Sequence, residues 1–253
     1  MNYFQILFFS TLSFLSNAQQ EHISYTYNDY LVQVSDSLLT VIHPKLNTVD
    51  TVFSDQAKAY YITKEGAEIS KLDMEKLQYA NPQKYSNIDS IDDLYISKEN
   101  SYMLSIVGPY ISYAYEFYFD GGAHPSYGKY YLSYNIETKK RFNLSDFFSD
   151  EEVYLALIKN EFILNYVKPN KAANLEQLLG GFFMNAGCDY SLDLSSFSFG
   201  KTENNQVTIF IGVAYGCEAS RGNFELISVQ LRIPEKLKQP LEISSEAHLL
   251  DTD

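Results

Sequence analysis

The sequence has no tryptophan, and its 253 residues include only two cysteines, four histidines and seven prolines. The scarcity of histidine and cysteine narrows the chemistry at once. A catalytic zinc site needs three converging protein ligands, and no H-x-x-x-H pair sets two imidazoles on one helix face. No GxSxG, P-loop, GxGxxG or CxxC framework occurs either, so no serine-hydrolase, nucleotide or cofactor motif is present and no cofactor is expected. Lys and Arg are few, 19 against 32 Asp and Glu, which leaves a formal charge of −13. A surface of that sign repels nucleic acid and anionic lipid, and it attracts cations and basic proteins. Beyond residue 18 no run is long and apolar enough to span a bilayer.

What is present begins with an apolar core from Ile6 to Leu15, followed by the small residues of Ser16-Asn17-Ala18. This pattern reads as a signal peptide over 1–18, cleaved before Gln19, because the core falls short of the ~20 residues of a membrane span. The mature chain is therefore expected in the periplasm or the medium, with no integral membrane segment. Cys188 and Cys217, an even count in an exported chain, read as a disulfide that staples neighbouring ends of a hairpin.

The aromatic content, 22 Tyr and 17 Phe, suits pleated surfaces on which rings pack. The spacing predicts an α+β fold: an antiparallel β-sheet with two inserted helices, preceded by a β-rich amino-terminal portion. In that portion, 19–99, the strands around Leu31–Val34, Leu39–Ile42 and Thr48–Phe53 form a meander. Tyr60–Thr63 and a Glu65-Gly66 turn add a strand, Lys71–Tyr79 a short helix, and Asn81–Asp93 a polar linker. Over 100–235, Tyr113, Tyr115, Phe117 and Phe119 alternate with Ala114, Glu116 and Tyr118, and Asp120-Gly121-Gly122 stops the run. Tyr130, Leu132, Tyr134 and Ile136 share a face of the next strand. Ser149 with Glu152 is a capping box that opens one helix, and a second, Ala172–Leu179, is expected to stop at Gly180-Gly181. Ser191–Phe199 and Val207–Tyr215 then pair across a turn at Gly200–Asn205, and Phe224–Ile233 returns beside them. The remainder, 236–253, is an acidic tail expected to be loose from Ser244.

Gly121-Gly122-Ala123-His124, the Tyr-rich strand after it and the Asn143–Phe148 close together resemble a known family. It is the extracytoplasmic domain of unknown function found in lysozyme-sensing anti-sigma factors and beside some polysaccharide-deacetylase domains. The resemblance spans 100–235 and is most specific between 115 and 148. It implies a binding module for a cell-wall glycan or a basic protein such as lysozyme, with Asp120, Gly121, Gly122, His124 and Tyr127 at the ligand. The sigma-binding segment and internal transmembrane helix of those factors have no counterpart here, and no metal-ligand set accompanies His124. Neither the signalling role nor the deacetylase chemistry is carried over.

Two other readings remain. One is a cell-wall or glycan hydrolase using His124 with Asp120 or with the carboxylates of Asp89-Asp92-Asp93 and Asp146-Asp150-Glu151-Glu152. A glycosidase pair needs two carboxylates about 5–9.5 Å apart across a cleft, and helix N-terminal charge accounts for these runs more simply. The other is a structural partner of another envelope protein, which a large exposed apolar patch would mark.

Overall fold

Among the described residues, period-two alternation of apolar side chains produces twelve strands in three sheets, and their pairings are antiparallel. The computed structural model describes residues 23–35, 37–62, 68–80, 92–120 and 124–252. The expected signal at 1–18, the Glu65-Gly66 turn, most of the linker expected at 81–93 and the Gly121-Gly122 turn lie outside the described residues.

The first sheet is the expected meander: β1 (Ile23–Tyr27), β2 (Tyr30–Ser35), β3 (Leu38–His43) and β4 (Thr48–Ser54), in that order. Tyr25, Val32, Val34, Leu39, Val41 and Phe53 form its buried face. The central sheet contains β5 (Gln56–Ile62), β6 (Glu68–Ser70), β7 (Asp92–Val107), β8 (Tyr110–Asp120) and β9 (Ser126–Asn135), ordered β6-β5-β7-β8-β9. Helix α1 (Lys71–Ala80) follows β6. A division at 99/100 falls inside β7, which pairs with β5 on one side and β8 on the other. The amino-terminal portion and the remainder thus share one hydrogen-bonded sheet.

The third sheet, β10 (Phe197–Glu203), β11 (Gln206–Ala214) and β12 (Phe224–Arg232), is covered on both faces. Val207, Ile209, Ile211 and Val213 are fully buried in a core with Leu157, Ile163, Leu178 and Phe182. Those four come from α2 (Asp150–Leu157), α3 (Glu161–Leu164) and α4 (Leu175–Ala186). On the opposite face Phe210, Phe224 and Leu226 pack against Leu104, Ala114 and Tyr131 of the central sheet. Gly212 permits this approach, since a Cβ there would lie 3.0 Å from both Phe224 and Tyr131.

The two inserted helices are α2 and α4, and the four-residue α3 lies between them, because the Asn160 side chain accepts from the amides of Phe162 and Ile163 and starts a further turn. Three sequence expectations are corrected. Helix α4 begins at Leu175, capped by Asn174, and runs through Gly180-Gly181 to end at Gly187, which takes φ 56. Each interior glycine costs about 1 kcal/mol, and burial of Leu178, Phe182 and Ala186 along one stripe outweighs it. The β10–β11 connection is a two-residue turn of Asn204 (φ 50) and Asn205 (φ 60), so Gly200 lies within a strand. The tail is ordered: α5 (Glu235–Glu246) buries Leu237, Leu241 and Ser244, and Leu249 and Asp251 beyond it are buried as well.

The Ser149 capping box is present with both bonds, Ser149 Oγ accepting from the Glu152 amide and the Glu152 carboxylate from the Ser149 amide. The side-chain and backbone bonds from Ser149 hold the Glu152 carboxyl below its ordinary range. A carboxylate depressed in the folded state contributes stability above its unfolded pKa and loses it as pH falls through the folded value. Ser149→Ala is expected to cost about 1 kcal/mol at neutral pH. Urea titrations should show that difference shrinking as pH falls below about 4, the unfolded value, and lowest once pH is under the depressed folded value, where the carboxylate is protonated in both states.

Candidate functional site

The strand register fixes which side chains of the central sheet share a face. Tyr115 lies opposite Tyr130, Tyr113 opposite Leu132 and Phe117 opposite Gly128. Glu99 and Ser101 of β7 stand beside Phe117 and Tyr115, and Gln56, Lys58 and Tyr60 of β5 complete that face. The other face carries Tyr102, Ala114, Glu116, Lys129 and Tyr131, and the third sheet covers it around Tyr131.

On the first face the rings of Tyr95, Tyr115, Phe117, Phe119 and Tyr130 are partly exposed. They form two linked groups. Tyr60 stacks on Tyr95 at 5.5 Å, with Phe119 at 6.0 Å from Tyr95. Phe117 stands 6.1 Å from Tyr115 and 6.1 Å from Tyr130, in the latter case with ring planes nearly parallel at 5°, and Tyr215 adjoins Tyr130 at 5.7 Å. Beside this row a groove of about 310 Å³ lies between β4 and the sheet, lined by Phe53, Gln56, Glu99, Ser101, Tyr113 and Tyr115.

Tyr215 belongs to another sheet, and three features bring it here. Gly128 leaves the space, since a Cβ there would lie 2.6 Å from the Tyr215 ring and 2.8 Å from Phe117. The Cys188–Cys217 disulfide, with Cα atoms 4.8 Å apart, holds the loop after β11. The amides of Gly216 and Cys217 both donate to the Cys188 carbonyl at 3.0 Å, and a side chain at 216 would meet the Gly187 carbonyl at 2.7 Å. The loop wraps the edge of β9: Tyr215 lies on the aromatic face, and Gly222 (φ 87) lies under the Tyr127 ring on the other.

The polar groups of this face are carboxylates, neutral hydroxyls and amides, and one ammonium, that of Lys58. Burial raises the Tyr113, Tyr115 and Tyr130 hydroxyls above the ordinary phenol range. The charge of Glu99 and a bond to it add to this at Tyr115; at Tyr130 a hydrogen bond shared with Tyr215 and the charge of Glu218 do so. All three remain neutral donors at physiological pH. Lys58 lies 4.4 Å over the Tyr60 ring and pairs with Glu68, so the same face already seats one ammonium on an aromatic ring.

The residues expected from sequence lie elsewhere. Asp120 ends β8, accepts from the Tyr118 hydroxyl at 3.4 Å, and shares the opposite face with Tyr118 and Tyr127. Tyr127 is 46% exposed. His124 is exposed at the hairpin end, and Gly121 and Gly122 fall outside the described residues. The fold thus brings Asp120 and Tyr127 to one side of the strand pair, and no bond among the described residues joins His124 to either. Among the described residues no group of three His, Cys, Asp or Glu could hold a metal ion. The aromatic row was missed, although its signal was in the strands: β8 and β9 carry rings on both faces, while a sheet needs only one face for its core. No family model, curated protein or solved structure matches the chain.

Proposed function

We propose that this chain is an exported binding module whose ligand lies across the aromatic face of the central sheet. The ligand class is the cationic surface of another protein met in the envelope or the medium. The observation that carries the reading is the partly exposed Tyr115–Phe117–Tyr130–Tyr215 row with Glu99 and Glu218 beside it. Aromatic faces attract ammonium and guanidinium groups, and the surrounding carboxylates and the charge of −13 draw such a partner in. The disulfide suits an oxidising compartment, and among the described residues no helix is long and apolar enough to cross a membrane. The acidic balance and the resemblance to lysozyme-sensing domains point the same way.

A glycan is the second reading, favoured by the partly exposed Tyr115, Phe117 and Tyr130 rings, since aromatic side chains also take the apolar C–H face of a sugar. The hydrolase reading has less behind it, since the Asp120 carboxylate accepts from the Tyr118 hydroxyl and no bond among the described residues joins it to His124.

Binding of the mature chain to immobilised lysozyme, to other basic proteins and to peptidoglycan fragments, at low and moderate salt, tests the proposal. Phe117→Ala and Tyr130→Ala are each expected to weaken capture of a basic protein about tenfold, the loss typical of a central aromatic anchor. His124→Ala should leave it unchanged. Capture that is insensitive to the ring substitutions, or that is confined to peptidoglycan, would reject the cationic-protein reading.

A further inference from the structure

A groove of about 750 Å³ runs along β12 in the protein's third sheet. Strand β12 lies at the edge of that sheet, and among the described residues β11 is its one paired neighbour. The pairing is regular from Phe224 to Arg232, without a bulge. In such a ladder the N–H and C=O of one residue point to the same side, and successive residues alternate sides. The Ser228 carbonyl marks the outward set, since it accepts from Asn160 Nδ2 at 3.4 Å, from beyond the sheet. Leu226, Ser228 and Gln230 therefore direct their amides into the groove, and none of these amides bonds to another backbone group among the described residues.

Helices α2 and α3 form the opposite wall. Leu155 there is 46% exposed, and the wall also includes Ala156 and Phe162. A strand edge with three outward amides and only the Ser228 carbonyl held, by the Asn160 side chain, beside a wall that includes Leu155, Ala156 and Phe162, has one natural complement: an extended chain that displaces that side chain, completes the ladder and turns alternate apolar side chains onto the helices. Charge adds direction. Glu225 lines the groove at the start of β12 and Arg232 at its end, which favours a basic residue on the partner beside Glu225.

We propose that the β12 edge is a second binding site, taking an extended segment of a partner polypeptide as a fourth strand, with alternating apolar residues and a basic end. It is independent of the aromatic face, which belongs to another sheet.

The probe is an acetylated nine-residue peptide alternating valine and threonine with lysine at each end, its binding to the full mature chain followed by fluorescence anisotropy. Saturable binding is expected. Ser228→Pro replaces an outward amide with a ring and removes no bond to β11, and it should weaken binding at least tenfold. Leu155→Glu, on the exposed helix wall, should do the same, and it decides the matter if the proline variant fails to fold. A strand bound by one edge uses alternate amides. Methylating one alternate set of peptide nitrogens should therefore abolish binding, and methylating the other should spare it. The absence of saturable binding overturns the proposal, as does binding indifferent to both variants and both methylated sets. Sedimentation showing a doubled mass that Ser228→Pro abolishes and the peptide cannot reverse would assign the edge to a second copy of the chain and also overturn it.

Discussion

Replacing both bridging cysteines, Cys188→Ser/Cys217→Ser, is expected to lower the free energy of unfolding by about 2–4 kcal/mol and to weaken ligand capture at the aromatic face as well. The separation of 29 residues gives a closed loop whose entropy is worth roughly 3 kcal/mol in the unfolded chain. The native geometry supports that figure, because the Cys188 carbonyl already holds the amides of Gly216 and Cys217. Ser220 Oγ also bonds the Asp189 carboxylate at 3.2 Å, so the bridge closes a loop that is braced on its own. The helical core against Val207–Val213 does not depend on the link, and the variant should unfold cooperatively, with a denaturant slope no smaller than that of the bridged chain because its unfolded state is more expanded. Urea titration followed by circular dichroism measures the stability, and the capture assay measures the second loss. Tyr215 reaches Tyr130 only because its loop is folded around β9, so the variant should lose capture at temperatures where the rest of the protein is intact. An unchanged urea midpoint would show that the bridge adds nothing to stability.

Much of the architecture could be read from residue order because the signals are local. The meander follows from alternation around Leu31–Val34 and Leu39–Ile42, and the α2 start from the Ser149–Glu152 pair. The buried stripe Val207, Ile209, Ile211 and Val213 follows from period two over nine residues of β11. The disulfide followed from cysteine count and compartment. Readings that failed depended on partners distant in sequence. Gly180-Gly181 carries a stop signal in isolation, and only the core around Phe182 overrides it. The pairing of β5 with β7, which the sequence does not announce, likewise joins strands far apart, over residues 56–99. The site illustrates the same limit. Alternation places Tyr115 and Phe117 on one face, but which face the third sheet covers, and that Tyr215 joins the open one, is decided by Gly128, Gly212 and the Cys188–Cys217 link acting together.

The carboxy-terminal segment is where the second large loss of stability is expected. Helix α5 ends with His248 in the left-handed conformation (φ 54), and the Leu249 amide bonds back to the Ser244 carbonyl at 2.9 Å. The chain then turns inward. Leu249 is 2% exposed within the cluster of meander residues that includes Val32, Leu39 and Phe53, and its carbonyl accepts from the Ile106 amide of β7 at 2.8 Å. Two residues later the Asp251 amide donates to the Phe199 carbonyl of β10 at 2.9 Å, and the Asp251 carboxylate accepts from the buried Ser198 hydroxyl at 2.5 Å. Three residues thus touch the meander, the central sheet and the third sheet. Leu249→Ala is expected to cost about 2–5 kcal/mol, toward the upper end if the three sheets cannot close over the cavity. Asp251→Ala leaves the buried Ser198 hydroxyl without its carboxylate and should cost about 1–3 kcal/mol, with Asp251→Asn recovering part of it. The two positions share the same seam, so their combined effect should depart from the sum, and a double-mutant cycle in urea measures that coupling. A loose tail would leave the midpoint unmoved in all three variants. The packing requires instead that the loss in Leu249→Ala exceed that in Ser149→Ala, because a buried leucine shared by two sheets has no water to replace its contacts.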